Sequence, residues 1–201
     1  MTTDFSECWY FPMMFQITMI FCGYLIGVRH AFRNSEFNAR HEVGHTIVGL
    51  ASTCLQVHYT KLTSPLLPFS EEGGRVVFGG IDLSGLNINS SASLWECGAL
   101  VSAGEVAVQS DMGCENDLEN FGSVARELVR RQSAGEDIRP PWQTDAVRRS
   151  YSAADIREFC LARASELLRQ QAGLIEPLIE ALLRQRRLDC AEIDIIVASQ
   201  G

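Results

Sequence analysis

Residues Asn38 to Leu50 read NARHEVGHTIVGL, with His41 and His45 four residues apart and Glu42 directly after the first. On a helix, residues four apart lie one turn apart on nearly the same face, so both imidazoles can aim a nitrogen at one ion. Zinc takes nitrogen and oxygen ligands tetrahedrally, and a hydrolytic site keeps its fourth position for water. His41 and His45 therefore make half a site. Glu42 is placed to reach that water rather than the metal, which is where a general base belongs. The flanks agree with a helix from Ser35 to about Thr53. Ser35 is the expected N-cap, and Val43, Ile47, Val48, Leu50, Ala51 and Leu55 form an apolar stripe at helical spacing.

Inert helices also carry this five-residue pattern by chance, so the motif needs a third ligand. No HExxHxxGxxH extension follows, since Leu50 and Ala51 occupy that region. The acidic candidates are Glu96, Glu105, Glu115 and Asp117, with Cys114 and His58 as outsiders. Asp117 in GCENDLENF also reads as a plain helix N-cap. Residue chemistry alone does not choose among these side chains.

Outward from the helix, LQVHYTKL (Leu55 to Leu62) and GRVVFGGI (Gly74 to Ile81) read as strands around the Pro- and Gly-containing loop SPLLPFSEEGG. A small sheet of two or three strands is expected. The Ala- and Gly-rich stretch Ser91 to Ser110 predicts a buried, closely packed helix. Asn116 to Gln132 repeats the helical period with its positive charges late, where they complement the helix dipole. After RPPWQ (Arg139 to Gln143), helices are predicted over Ala153 to Gln171, Ile175 to Arg184 and Ala191 to Ala198, with RQRR (Arg184 to Arg187) as a solvated helix end. Trp95 and Trp142 are expected to pack in the core. The fold class is mainly α with a small β-sheet (α+β), a zincin-type HExxH helix and a helical C-terminal part.

The chain has 201 residues, a net charge of -8 and a pI near 5.0, which argues against general nucleic-acid binding, because phosphate neutralisation needs clustered Lys and Arg. Seven cysteines without a CxxC pair suggest neither a disulfide framework nor a cysteine zinc site. No GxxxxGK[ST] or GxGxxG motif is present. Cys8 to Val28 is uncharged and close to the roughly 20 residues that cross a bilayer as a helix. Arg29, Arg33 and Arg40 follow it, so a span here would leave the remainder in the cytoplasm, anchored at the inner membrane. Pro12, Gln16 and Gly23 favour instead a buried helix or strand pair. The expected organisation is residues 1–34 as a hydrophobic segment and 35–201 as the functional domain.

From about Phe37 to Val197 the chain resembles the peptidase domain of the FtsH family of ATP-dependent zinc metalloproteases. HEVGH at His41 matches the family's HEAGH helix, SAGEVAVQ at Ser102 its AGRAAEE helix, and MGCENDLENFGSVARELV at Met112 its TGA-x-NDL segment. The resemblance implies zinc held by His41, His45 and Asp117, with Glu42 as the base, and protein or peptide substrates. Glu105 departs from the family's usual arginine, and Cys114 from the alanine before NDL. With no phosphate loop, a stand-alone, ATP-independent domain is expected. Hexamers are the family habit, but much of that assembly is built by the missing ATPase domain. The strand GRVVFGG is a candidate for holding an extended peptide by strand addition. The competing expectations are a catalytically weak or inactive zinc-binding relative acting as an interaction module, an intramembrane protease, which the polar NSEFNARHE run opposes, and a metal-free helical interaction domain.

Overall fold

The computed structural model describes residues 35–52, 55–62, 74–79, 90–110, 115–143 and 150–200. The apolar stretch Cys8 to Val28 and Cys114 lie outside the described residues. Among those described, no helix is long and apolar enough to cross a membrane.

The HEVGH motif lies mid-helix in α1, residues 35–50. Its inner face carries Ala39, Val43, Ile47 and Val48, while Leu50 and Ala51, expected in the same stripe, stand exposed at its end. Ser35 is already helical, and its hydroxyl accepts from Arg186 Nη1 at 2.9 Å. Two strands follow, β1 (Gln56–Leu62) and β2 (Gly74–Gly79), paired antiparallel with an irregularity between Val57 and Tyr59.

The helix α2 (Ser91–Val108) begins at Ser90, whose side chain accepts from the Ser93 amide, and ends at Gln109 in the left-handed region (φ 53°). It has no polar face over its middle because it packs on both α3 (Glu115–Ser133) and α4 (Ala153–Gln170), and its Ala103 touches α1 at Gly44. A Ser152/Asp155 capping box opens α4. The next helix, α5 (Ala172–Gln185), starts a turn earlier than Ile175, so Pro177 sits inside it rather than in its first turn. Arg186 turns the chain at φ 65° into a third strand, β3 (Arg187–Asp189), followed by α6 (Cys190–Gln200).

The sheet order is β2-β1-β3, and β3 pairs antiparallel with β1 through Thr60 and Leu188. The run RQRR is thus divided: Arg184 and Gln185 form the exposed end of α5, as expected, whereas Arg186 turns the chain and Arg187 begins β3. The architecture is mainly helical with a small antiparallel sheet.

Among the described residues, two apolar clusters form the core. One joins α1, the sheet, α5 and α6 with Ala99, Leu100 and Ala103 of α2. The other lies between α2, α3 and α4 around the fully buried Trp95, which meets Trp142, Tyr151 and Phe159 edge to face and donates to the Ile138 carbonyl.

Candidate metal centre

Three side chains from two distant parts of the chain converge. Asp117 Oδ2, in the first turn of α3, lies 3.0 Å from His41 Nε2 and 3.1 Å from His45 Nε2, and the two Nε2 atoms are 3.1 Å apart. His45 is buried, and His41 and Asp117 are partly so.

The hydrogen bonding of His45 fixes what these atoms can do. Its Nδ1 lies 2.8 Å from the Leu100 carbonyl of α2, and a carbonyl only accepts, so Nδ1 carries a proton. In the neutral ring Nε2 then presents a lone pair, and it presents it to a carboxylate oxygen and a second imidazole nitrogen. Such a convergence of acceptors is repulsive unless a proton or a cation lies among them. Burial pushes the His45 imidazolium down, but the hydrogen bond and charge of Asp117, helped by Glu42 and the Leu100 carbonyl, outweigh it and raise the group to about 9. Burial likewise works to raise Asp117, and its hydrogen bonds to His41 and His45 hold it well below the usual carboxylate range.

A metal ion is the other way to satisfy this triangle. A tetrahedral ion with bonds of ~2.0 Å has its ligand atoms ~3.3 Å apart, within a few tenths of an ångström of the spacing here. Two imidazole nitrogens and one carboxylate oxygen suit zinc and leave a fourth position open, and the Leu100 carbonyl supplies the outer hydrogen bond that orients a ligating histidine. The donor set fits.

Glu42 is buried, and its carboxyl is raised by that burial against the lowering effect of the two imidazoles. It lies on the helix between the histidines, close enough for both rings and Asp117 to act on it.

Two of the other acidic candidates, Glu96 and Glu105, are engaged elsewhere. Glu96 accepts from the Ser52 hydroxyl, and Glu105 takes two contacts from Arg157 Nη2 at 2.9 and 2.8 Å, bridging α2 to α4. Glu115 is exposed at the start of α3, and His58 is exposed on β1. What sequence reasoning missed is the contribution of α2: the Leu100 carbonyl and the bare backbone at Gly104. A backbone carbonyl carries no residue signature, and only the small-residue run SAG pointed toward close packing.

No protein-family model matches this chain, and no curated protein matches it in sequence.

Proposed function

We propose that this chain is a zinc-dependent metallopeptidase of the FtsH peptidase type, with His41, His45 and Asp117 as ligands and Glu42 as general base. The observation that carries the reading is the triangle of Nε2, Nε2 and Oδ2, 3.0–3.1 Å on a side, with Glu42 buried beside it. When bound, zinc supplies Lewis acidity, polarising a scissile carbonyl and making water acidic enough to yield a nucleophile near neutral pH. Glu42, whose carboxyl is raised by burial, takes up the proton of the attacking water and hands it to the leaving amine. His45, held by Leu100, and His41 keep their Nε2 atoms directed at the centre. Among the described residues β2 stands at an edge of the sheet, and it is the proposed rail for an extended peptide. Deleting residues 74–80 with peptide turnover unchanged would refute that role.

The deciding experiment is elemental mass spectrometry on protein purified without chelator or metal-affinity tag, followed by a proteolysis assay on an unstructured protein. One zinc per chain is expected, lost in His45→Ala and in Asp117→Ala, and Glu42→Gln should keep the zinc while losing turnover by about 10²–10⁴-fold. No zinc in the wild type, even after reconstitution, overturns the reading. Zinc without turnover would support the zinc-binding interaction module instead.

A further inference from the structure

The helix facing the motif approaches it unusually closely. A Cβ built on Gly104 of α2 would fall against the Nδ1–Cε1–Nε2 edge of His41, 2.6 Å from each nitrogen and in still closer contact with Cε1. Real Cβ atoms essentially never come within 3.0 Å of another group. The atoms it would meet belong to a ring, not to the free end of a flexible side chain. On α1, Gly44 plays the matching part: a Cβ there would lie 2.6 Å from the Ala103 carbonyl oxygen and 2.6 Å from Ala107 Cβ. The two helices thus meet through bare backbone, with Gly44 between the two histidines on one side and Gly104 on the other.

One turn before Gly104 on α2, the Leu100 carbonyl accepts from His45 Nδ1. One face of α2 therefore governs both rings, one by a hydrogen bond and the other by leaving room. Helix propensity does not explain a glycine here, since Gly is among the worst residues in a helix interior. The ring of His41 does: its ligand-bearing edge fills the space that any side chain at position 104 would take.

We infer that Gly104 is a positioning residue for the metal centre: the absence of a Cβ there lets the His41 imidazole lie flat on α2 with its Nε2 at the third corner of the ligand triangle. This rests on the metallopeptidase reading for its purpose, but the contact itself is testable without metal. With an alanine at 104 the ring must rotate or withdraw, and the atom displaced is the ligand atom.

The test is a double-mutant cycle on the full chain with Gly104→Ala and His41→Ala, read in two ways. First, thermal unfolding of chelator-treated protein: Gly104→Ala should lower the midpoint when His41 is present and raise it in the His41→Ala background, where the ring that meets the methyl is gone and alanine is the better helix former. Equal effects in both backgrounds would overturn the proposal. If Gly104→Ala alone fails to fold, recovery of folding in the double variant supports the ring contact, and failure of both sinks it. Second, cobalt(II) binding by competition with a chromophoric chelator, with the visible spectrum as a readout of ligand geometry. Gly104→Ala should weaken binding by about 10-fold or more, as loss of ligand orientation does, and should alter the spectrum. Tight cobalt binding by the wild type with unchanged affinity and spectrum in Gly104→Ala overturns this inference alone, whereas no cobalt or zinc binding by the wild type removes the metallopeptidase reading and the positioning role with it.

Discussion

The chemistry of the candidate site turns on Asp117, the member of the His41–His45–Asp117 group that comes from outside the motif helix. In the metal-free chain it holds the His45 imidazolium up at about 9, while its own carboxyl is held low. A raised histidine stabilises the fold fully below its ordinary value near 6.5 and loses that stabilisation as pH rises through about 9. A depressed aspartate contributes above 3.8 and loses its contribution as pH falls below it. Asp117→Asn should therefore destabilise the chelator-treated protein most between about pH 4 and 6.5, by about 1.5–3 kcal/mol, the worth of a hydrogen bond to a charged group. The difference should fade above pH 9. Urea denaturation across that range measures it, and a pH-independent difference would mean the carboxylate acts only by packing. His41, Glu42 and His45 were legible because their spacing is a property of the helix itself. Asp117 was not legible from local chemistry, where Glu96, Glu105 and Glu115 competed with it. It was set apart only by the resemblance of NDL to a family segment, because a contact spanning 72 residues leaves no local pattern.

At the scale of elements, the helices were readable to within a few residues because their caps and periods are local. Ser152 and Asp155 bond reciprocally at the start of α4, so Ser152→Ala should cost about 1 kcal/mol in equilibrium unfolding, and a change within error would show the box to be solvent-compensated. The packing between helices was less legible. A Cβ on Gly98 would lie 2.6 Å from Cys160 Sγ, inside the buried contact of α2 with α4. Gly98→Ala should destabilise by roughly 1–3 kcal/mol, and Cys160→Ala in the same chain should relieve most of that cost. If the double variant is no more stable than Gly98→Ala alone, the sulfur is not the obstacle. The strand β3 was the element missed. Its three residues carry no alternation strong enough to separate them from the charged end of α5. They become a strand only because Arg186 reverses the chain in the left-handed region and the Leu62 amide donates to its carbonyl. That is a tertiary decision overriding a local one.

Across the whole molecule, the site lies where the two apolar clusters meet. His41 and His45 come from the helix that packs on the sheet and α5, whereas Asp117 opens the helix that packs around Trp95. Both α2 and α4 run through the two clusters and join them by apolar contact, and Glu105 with Arg157 adds an ion pair between those helices. An ion at the triangle would be a further bridge, made between α1 and α3 and absent from the unfolded chain. Binding only to the folded state stabilises by about 2.7 kcal/mol at a free metal concentration 100 times the dissociation constant. For a chain of this size that corresponds to a rise in thermal midpoint of roughly 5–10 °C. Adding zinc to chelator-treated protein should produce that rise in the wild type and in Glu42→Gln, which keeps His41, His45 and Asp117, and none in Asp117→Ala. Amide hydrogen exchange locates the effect: zinc should slow exchange in α1 and the first turn of α3 more than in α5 and α6, which contribute no side chain to the triangle. Uniform protection of all helices would point to a general effect of the ion on the folded state. A rise in midpoint that survives Asp117→Ala would place the ion elsewhere and break the link between the two clusters proposed here.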